Sequence, residues 1–392
     1  MATQDYFSKS RLFKARKVAR YVELYGLART VAKIRAQYHM RAGLEFEGTR
    51  WNNSACPDIA DRERSIGIIG CGAFSYSVIA YYLARQRRSF LRGAMDISRA
   101  RARSLVARYK GAYATTDFHE IVGDPAISLV YIASNHASHA EYAVKCIEGG
   151  KHVHIEKPHV VSQDQLSRLQ AAMRAHPAAK VFLGFNRPRS PLFRRLKELL
   201  AAESGPVMIN WFVAGHQIED DHWYFSPEEG GRILGNLCHW TDLSLETVAP
   251  EGRWPLSVTT VAPADSRSDF VTTIAFGDGS MAAITFSAKG HTFEGVREIV
   301  NIHRGNLLAE IKDFKSLDFA LGEKRKTIRG WHRDHGHAEN VVASLHASSN
   351  NTPQSAGERQ HVIDTARLFL AVKQSHEEGR AIALTFQDGA VN

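Results

Sequence analysis

The feature that most constrains this chain is the junction at residues 65–75. A short apolar run, Ser65–Ile66–Gly67–Ile68–Ile69, ends in Gly70–Cys71–Gly72–Ala73–Phe74–Ser75, and a helical run follows through Tyr82 to Arg87. Glycine at the first position permits a tight turn. Glycine at the second lets backbone N–H groups at a helix N-terminus approach a pyrophosphate. Serine at the third is small enough for a helix to pack closely on its strand. Asp96 follows 21 residues after Ser75, at the end of the next apolar run. A carboxylate placed there accepts hydrogen bonds from ribose hydroxyls. It also repels a 2′-phosphate, so NAD is expected over NADP, with Ser98, Arg99 and Arg101 nearby to soften the preference.

The pattern continues as alternating strands and helices. LRGAMD, ISLVYIAS, KHVHIEK and KVFLGFN read as strands, with SRARARSLVARYKG and HAEYAVKCIEGG as helices between them. That alternation predicts a doubly wound parallel sheet of Rossmann type over residues 65–187. Beyond residue 200, VMINWFVAG, LSVTTVAP, FVTTIAFGDGSMAAITFSA and REIVNIHRGNLLAEIKDF are β-rich, with a hairpin turn at Gly277–Asp278–Gly279. Helices are expected near 335–348 and 355–378. The expectation for 188–392 is therefore an α+β domain with a large, mostly antiparallel open sheet.

Residues 1–64 form a third segment. Ten Lys and Arg against Asp5 and Glu23 give residues 1–44 a net +8 of the chain's +9, so the rest is nearly neutral. That distribution argues against nucleic acid as a partner. Val18, Tyr21, Val22, Tyr25, Val31, Ala32 and Ile34 recur at helical steps, and Gly26 is expected to split the run into two helices. This extension can pack on the body or on a second subunit, meet an anionic membrane surface or a partner, or act as a transit peptide. Residues 45–64 read as a linker. If the nucleotide-binding unit begins at Ser65, deleting residues 1–44 leaves cofactor affinity nearly unchanged. Cys56, Cys71, Cys146 and Cys238 lie far apart, there is no secretory h-region, and no apolar run is long enough to span a bilayer, so a reduced, cytoplasmic setting is expected.

Two further motifs end strands where an open α/β sheet places its ligand: Ser134–Asn135–His136, followed by His139, and His154–Ile155–Glu156–Lys157–Pro158. Two histidine groups, His332/Asp334/His335/His337 and His216/Asp220/Asp221/His222, lack the spacing of a metal site, and no metal is expected. Arg187 and Arg189 either meet a substrate phosphate or are solvated.

GCGAFS, the Asp96 strand, SNHASHAEYA, GGKHVHIEKP, GFNR and GGRILGNLCHWTD, in this order, resemble the Gfo/Idh/MocA oxidoreductases over about residues 65–380. The resemblance implies an NAD(P)-dependent dehydrogenase acting on the CH–OH group of a sugar, sugar acid or nucleotide sugar. It implies Lys157 and His239 as the catalytic pair. Gly70, Gly72, Ala73, Phe74, Asp96, Ser134, Asn135, His136, His139, Glu156, Lys157 and Asn186 would serve the cofactor. Arg187, His222, Trp223, Asn236 and His239 would serve the substrate. It also implies a homodimer or homotetramer formed through the C-terminal sheet. One departure stands out: many members carry aspartate four residues before the histidine, where this chain has Gly235, with Asn236 next. A non-catalytic dinucleotide-binding sensor or assembly subunit, and a reductase of a non-sugar carbonyl, are the alternatives on the same fold.

Overall fold

A computed structural model describes residues 10–45, 64–218, 221–264, 266–290 and 295–386. The expected linker at 45–64 lies almost wholly outside them, as does Asp220. The chain divides into two compact units.

The first unit comprises residues 28–184 and 338–363. Its six strands are β1 (Ile66–Ile69), β2 (Leu91–Met95), β3 (Tyr113–Thr115), β4 (Leu129–Ile132), β5 (His152–Ile155) and β6 (Val181–Leu183). They are all parallel and ordered β3-β2-β1-β4-β5-β6. β1, β2 and β4 are buried at every position, as expected of strands covered on both faces. The order reverses between β1 and β4, and open α/β sheets bind ligands in the crevice at that switch point.

The extension is a pair of helices, α1 (Arg11–Tyr25) and α2 (Leu27–Glu45), with Gly26 between them at φ 80°. From residue 28 onward α2 belongs to the parallel-sheet unit. Ala36 sits in one hydrophobic cluster with Ile66, Ile68, Ile79 and Leu105. The buried His39 ring stacks on Tyr76 at 4.2 Å and reaches Cys71 O (2.7 Å) and Ser104 Oγ (2.9 Å). Arg29 donates to Ser77 O and lies over the rings of Tyr81 and Tyr82. The premise that this unit starts at Ser65 is therefore corrected: strand grammar begins there, but the core includes α2. The helices between the strands are α3 (Ala80–Gln86), entered through a π-helical turn at Ser75–Ile79, α4 (Arg99–Tyr109), α5 (Phe118–Gly123), α6 (His136–Glu148) and α7 (Gln163–Ala175).

The second unit comprises the described residues of 10–27, 185–337 and 364–386. It holds α8 (Pro191–Ala201), β7 (Met208–His216), α9 (Cys238–Thr247, entered through a π-helical turn at Ile233–Leu237), β8 (Leu256–Val261), β9 (Phe270–Ala275), β10 (Met281–Gly290), β11 (Arg297–Arg304), β12 (Leu307–Lys312), β13 (Ser316–Leu321) and β14 (Lys324–Arg329). After α10 (His337–Ser348) and α11 (Ala356–Glu378), β15 (Ile382–Leu384) closes the sheet edge. The order is β14-β13-β12-β11-β7-β10-β9-β8-β15, antiparallel throughout except between β7 and β10. β8 alternates between buried and exposed residues throughout, and β9 does so up to half-buried Ala275, as a sheet with one covered face requires. The uncovered face carries Met208, Phe212, Val271, Met281 and Leu308, each 40–59% exposed. Among the described residues no helix is long and apolar enough to cross a membrane.

Candidate active site

In the parallel-sheet unit the glycine turn is fixed from several sides. Gly70 has φ 86°, and a Cβ there would stand 2.5 Å from Ala133 O, so only glycine fits. Gly72 differs: a Cβ there would meet nothing within 4 Å, and its φ lies outside the left-handed region. The protein itself thus gives no steric reason for glycine at 72, and close approach of a ligand is the remaining one. Buried Ser75 donates its hydroxyl to Gly70 O, which ties the third motif position back to the first. Asp96 stands just past β2; its Oδ2 accepts from Cys71 N (2.7 Å) and its Oδ1 from Ser98 N (2.8 Å). Beside it Ile97 is 85% exposed, an apolar side chain at the same strand end that sequence reading overlooked.

Past β4, Ser134 Oγ lies 2.7 Å from Ser138 Oγ, which donates to Asn135 Oδ1 at 2.6 Å across the first turn of α6. His136 and His139 are both buried. His139 places Nδ1 2.8 Å from Pro158 O and Nε2 3.2 Å from Ser134 O. Burial pushes its pKa down, so the ring is neutral, and its single N–H goes to the shorter contact. His139 was expected at the cofactor; here its ring links the segment after β4 to the segment after β5. Glu156 is buried, with Oε1 3.7 Å from His154 Nε2. Gly184 leaves room for it, since a Cβ there would meet Glu156 Oε2 at 2.6 Å. His154 Nδ1 lies 2.8 Å from Ser344 Oγ. Lys157 follows, half-buried, before Pro158 in a cis peptide.

In the antiparallel-sheet unit, Arg187 departs from expectation. Its guanidinium donates from Nε (2.6 Å) and Nη2 (2.8 Å) to the two oxygens of buried Glu298 and stacks 5.0 Å from the Trp240 ring centre. Trp240 Nε1 donates to the same carboxylate (3.0 Å), and His335 Nε2 lies 3.0 Å away. Burial alone would raise the Glu298 carboxyl, yet Arg187 and His335 together hold it well below the usual range. Arg187 is thus buried in an internal ion pair rather than solvated or set out as a phosphate anchor, with Nε and Nη2 both held by Glu298. Asn186 spends its amide donor on His335 O (2.6 Å). His335 belongs to one of the two histidine groups, and its neighbour His332 sits 3.2 Å from Glu23 O at the end of α1. Among the described residues no group of three or more His, Cys, Asp or Glu could hold a metal ion.

His239 lies in the first turn of α9, 9% exposed and edge-on to Phe185 at 5.9 Å. Gly235 and Asn236 fall inside the π-helical turn that precedes it, and Asn236 Oδ1 is buried without a hydrogen-bond partner. Buried His222 accepts from Tyr224 N at Nδ1 (3.2 Å) and stacks on Trp223. Burial, helped by the Arg232 charge, pushes it down to about 4.

Parallel strands in the β3-β2-β1-β4-β5-β6 order, with a glycine turn and a carboxylate at the switch point, define a Rossmann-type nucleotide-binding class. Residues 64–185 match the sequence model of the Gfo/Idh/MocA group described as "Oxidoreductase family, NAD-binding Rossmann fold". An oxidoreductase of Bacillus subtilis (strain 168) described as uncharacterized, YrbE, is 30% identical over 141 residues, 36% of this chain and 40% of its own. Inositol 2-dehydrogenase of Acidothermus cellulolyticus is 32% identical over 142 residues, 35% of this chain and 40% of its own. The match therefore spans about two fifths of these relatives' length. Among solved structures, GenD2 from gentamicin A biosynthesis in complex with NAD superposes with a TM-score of 0.69, covering 86% of this chain and all of that one at 21% identity, a likeness of fold.

Proposed function

We propose that this protein is an NAD-dependent oxidoreductase that moves hydride between the cofactor and a CH–OH carbon of a polyol- or sugar-type substrate. The observation that carries the reading is the pairing of Gly70, which only glycine satisfies, with Gly72, which stands over open space at the switch point. NAD fits these residues: backbone N–H groups of the turn and α3's leading π-turn would hold its pyrophosphate, Asp96 its ribose hydroxyls, and Ile97 would lie against its adenine. When bound, NAD accepts or returns the hydride. The kinship with an inositol 2-dehydrogenase supports a carbohydrate-like substrate.

The chain's own residues handle the proton and the charge. Oxidation of a carbinol releases the hydroxyl proton, and a histidine suits that transfer near neutrality, a role assigned here to His239. The Lys157 ammonium stabilises negative charge developing on the same oxygen. Gly235 has no carboxylate to offer, and Asn236, with its unpartnered Oδ1, takes the role of polar contact to the substrate. His139 and Glu156 position the strand end from which Lys157 projects. The reading extends to a homo-oligomer formed through the apolar outer sheet face, which light scattering tests directly.

The catalytic test is turnover of a polyol and sugar panel followed by nicotinamide absorbance. Lys157→Ala and His239→Ala should each lower kcat by roughly a hundredfold to ten-thousandfold with NAD affinity within severalfold. The double variant should fall well short of the product of the singles, since both act on one oxygen. Near-full turnover by His239→Ala would move the non-catalytic dinucleotide-binding reading ahead.

A further inference from the structure

The antiparallel-sheet unit holds a buried cation that no described carboxylate pairs with. Arg232, 3% exposed, leads into the π-helical turn before His239. Its guanidinium stacks 5.3 Å from the Phe286 ring centre, Nη2 donates to His216 O (2.8 Å), and Nε is buried with no acceptor. Among the described residues no carboxylate lies within ion-pair distance of it. The contrast with Arg187, whose Nε and Nη2 are both held by Glu298, is direct. Asp269, the acid whose charge reaches Arg232, already accepts from Ala288 N and Ser266 Oγ. Burial pulls the arginine down to about 10, and the more distant Asp269 charge only partly offsets it. Gly215 makes room, for a Cβ there would stand 2.9 Å from Nη2.

A second orphan donor accompanies it. His222 uses Nδ1 as an acceptor from Tyr224 N, so its proton is on Nε2, and Nε2 is buried with no acceptor. A buried N–H without a partner is unfavourable, and a charged one more so. Two such donors within electrostatic reach of each other call for an incoming oxygen ligand. Arg232 also lines a cleft of about 720 Å³ together with Phe225, Gly231, Arg267 and His376. Among the described residues of that wall the one acid, Glu377, is held by Lys373, and the described lining is basic on balance.

We infer that Arg232, assisted by His222, is an oxyanion-recognising subsite, and that the substrate carries a carboxylate or phosphate group rather than being a neutral polyol. The inference rests on the oxidoreductase reading for the identity of the ligand, not for the existence of the subsite. The test uses full-length protein whose NADH binding has first been measured. Acetate and inorganic phosphate are titrated separately at constant ionic strength, with Trp223, stacked on His222, as the fluorescence reporter. A saturable response is expected, to acetate if the group is a carboxylate and to phosphate if it is a phosphoryl group. Arg232→Gln should weaken it roughly tenfold or more, as removal of a charged hydrogen-bond partner implies. Arg232→Lys, which retains the charge, should keep part of the response and serves if the glutamine variant does not fold. NADH affinity should not change in either. No saturable response to either anion in wild type, or an undiminished one in Arg232→Gln, overturns the subsite. Absence of NADH binding with an intact anion response would instead sink the oxidoreductase reading.

Discussion

Replacing His39 with alanine tests whether the N-terminal helix is part of the nucleotide-binding core. His39 Nε2 is the donor to the Cys71 carbonyl, an acceptor only, so Nδ1 is left to accept from Ser104 Oγ. Removing the ring takes a hydrogen-bond partner from a buried group, costing about 1–3 kcal/mol. It also ends the stacking on Tyr76, which adds about 0.5–1.5 kcal/mol. The combined loss of about 2–4 kcal/mol corresponds to a melting temperature lower by roughly 5–15 °C for a unit of this size. Because Cys71 lies inside the glycine turn, NADH affinity should fall several-fold as well. His39→Gln, which can still donate near the Nε2 position, should recover much of the affinity, whereas His39→Leu should not. The assay pairs thermal melts with NADH titration for all three variants. If His39→Ala melts within about a degree of wild type and binds NADH equally, then the contacts of α2 are incidental and the boundary at Ser65 stands.

Other outcomes follow from the same geometry. NADH should bind at least about tenfold more tightly than NADPH, because a 2′-phosphate would face Asp96; an NADPH preference in fluorescence titration would show that Arg99 or Arg101 governs the pocket. Glu298→Gln leaves Arg187 buried without its counter-charge and should cost about 3–5 kcal/mol in denaturant melts. Arg195→Ala, which removes an exposed pair with Glu198, should cost under about 1 kcal/mol. His159, fully buried with Nε2 2.8 Å from Val362 O, is pushed by burial down to about 3. A histidine held neutral in the folded state binds fewer protons there than when unfolded, so its contribution is intact above about pH 6.5 and is lost as pH falls toward 3. At pH 5 that amounts to about 2 kcal/mol; a melting temperature flat from pH 7 to 5 would contradict it.

The parallel-sheet unit was legible because its signals are local. The glycine turn, Asp96 and the strand-end motifs each lie within a few residues, and the 2.0 and 3.6 periods separate strands from helices. β3 escaped notice because Tyr113–Ala114–Thr115 is too short to show a period. The Gly26 break between α1 and α2 was read correctly, but the partner of α2 was not, since a basic helix looks solvated until Ala36 and His39 are seen facing inward. Pairings across long separations left no trace in the sequence. Arg187 and Glu298 are 111 residues apart, and nothing near Arg187 announces its acid. The same holds for Arg232, which no described carboxylate pairs with.

The most direct test of the account is NADH titration of Gly72→Val. Position 72 offers open space to a Cβ and no left-handed backbone, so the substitution should leave the melting temperature of the ligand-free protein close to wild type. If a pyrophosphate approaches that backbone, the new side chain occupies its place, and NADH affinity should fall by roughly a hundredfold or more, from a wild-type protein that binds saturably. Unchanged NADH binding by Gly72→Val would contradict the assignment of the turn as the dinucleotide site, and with it the proposed activity.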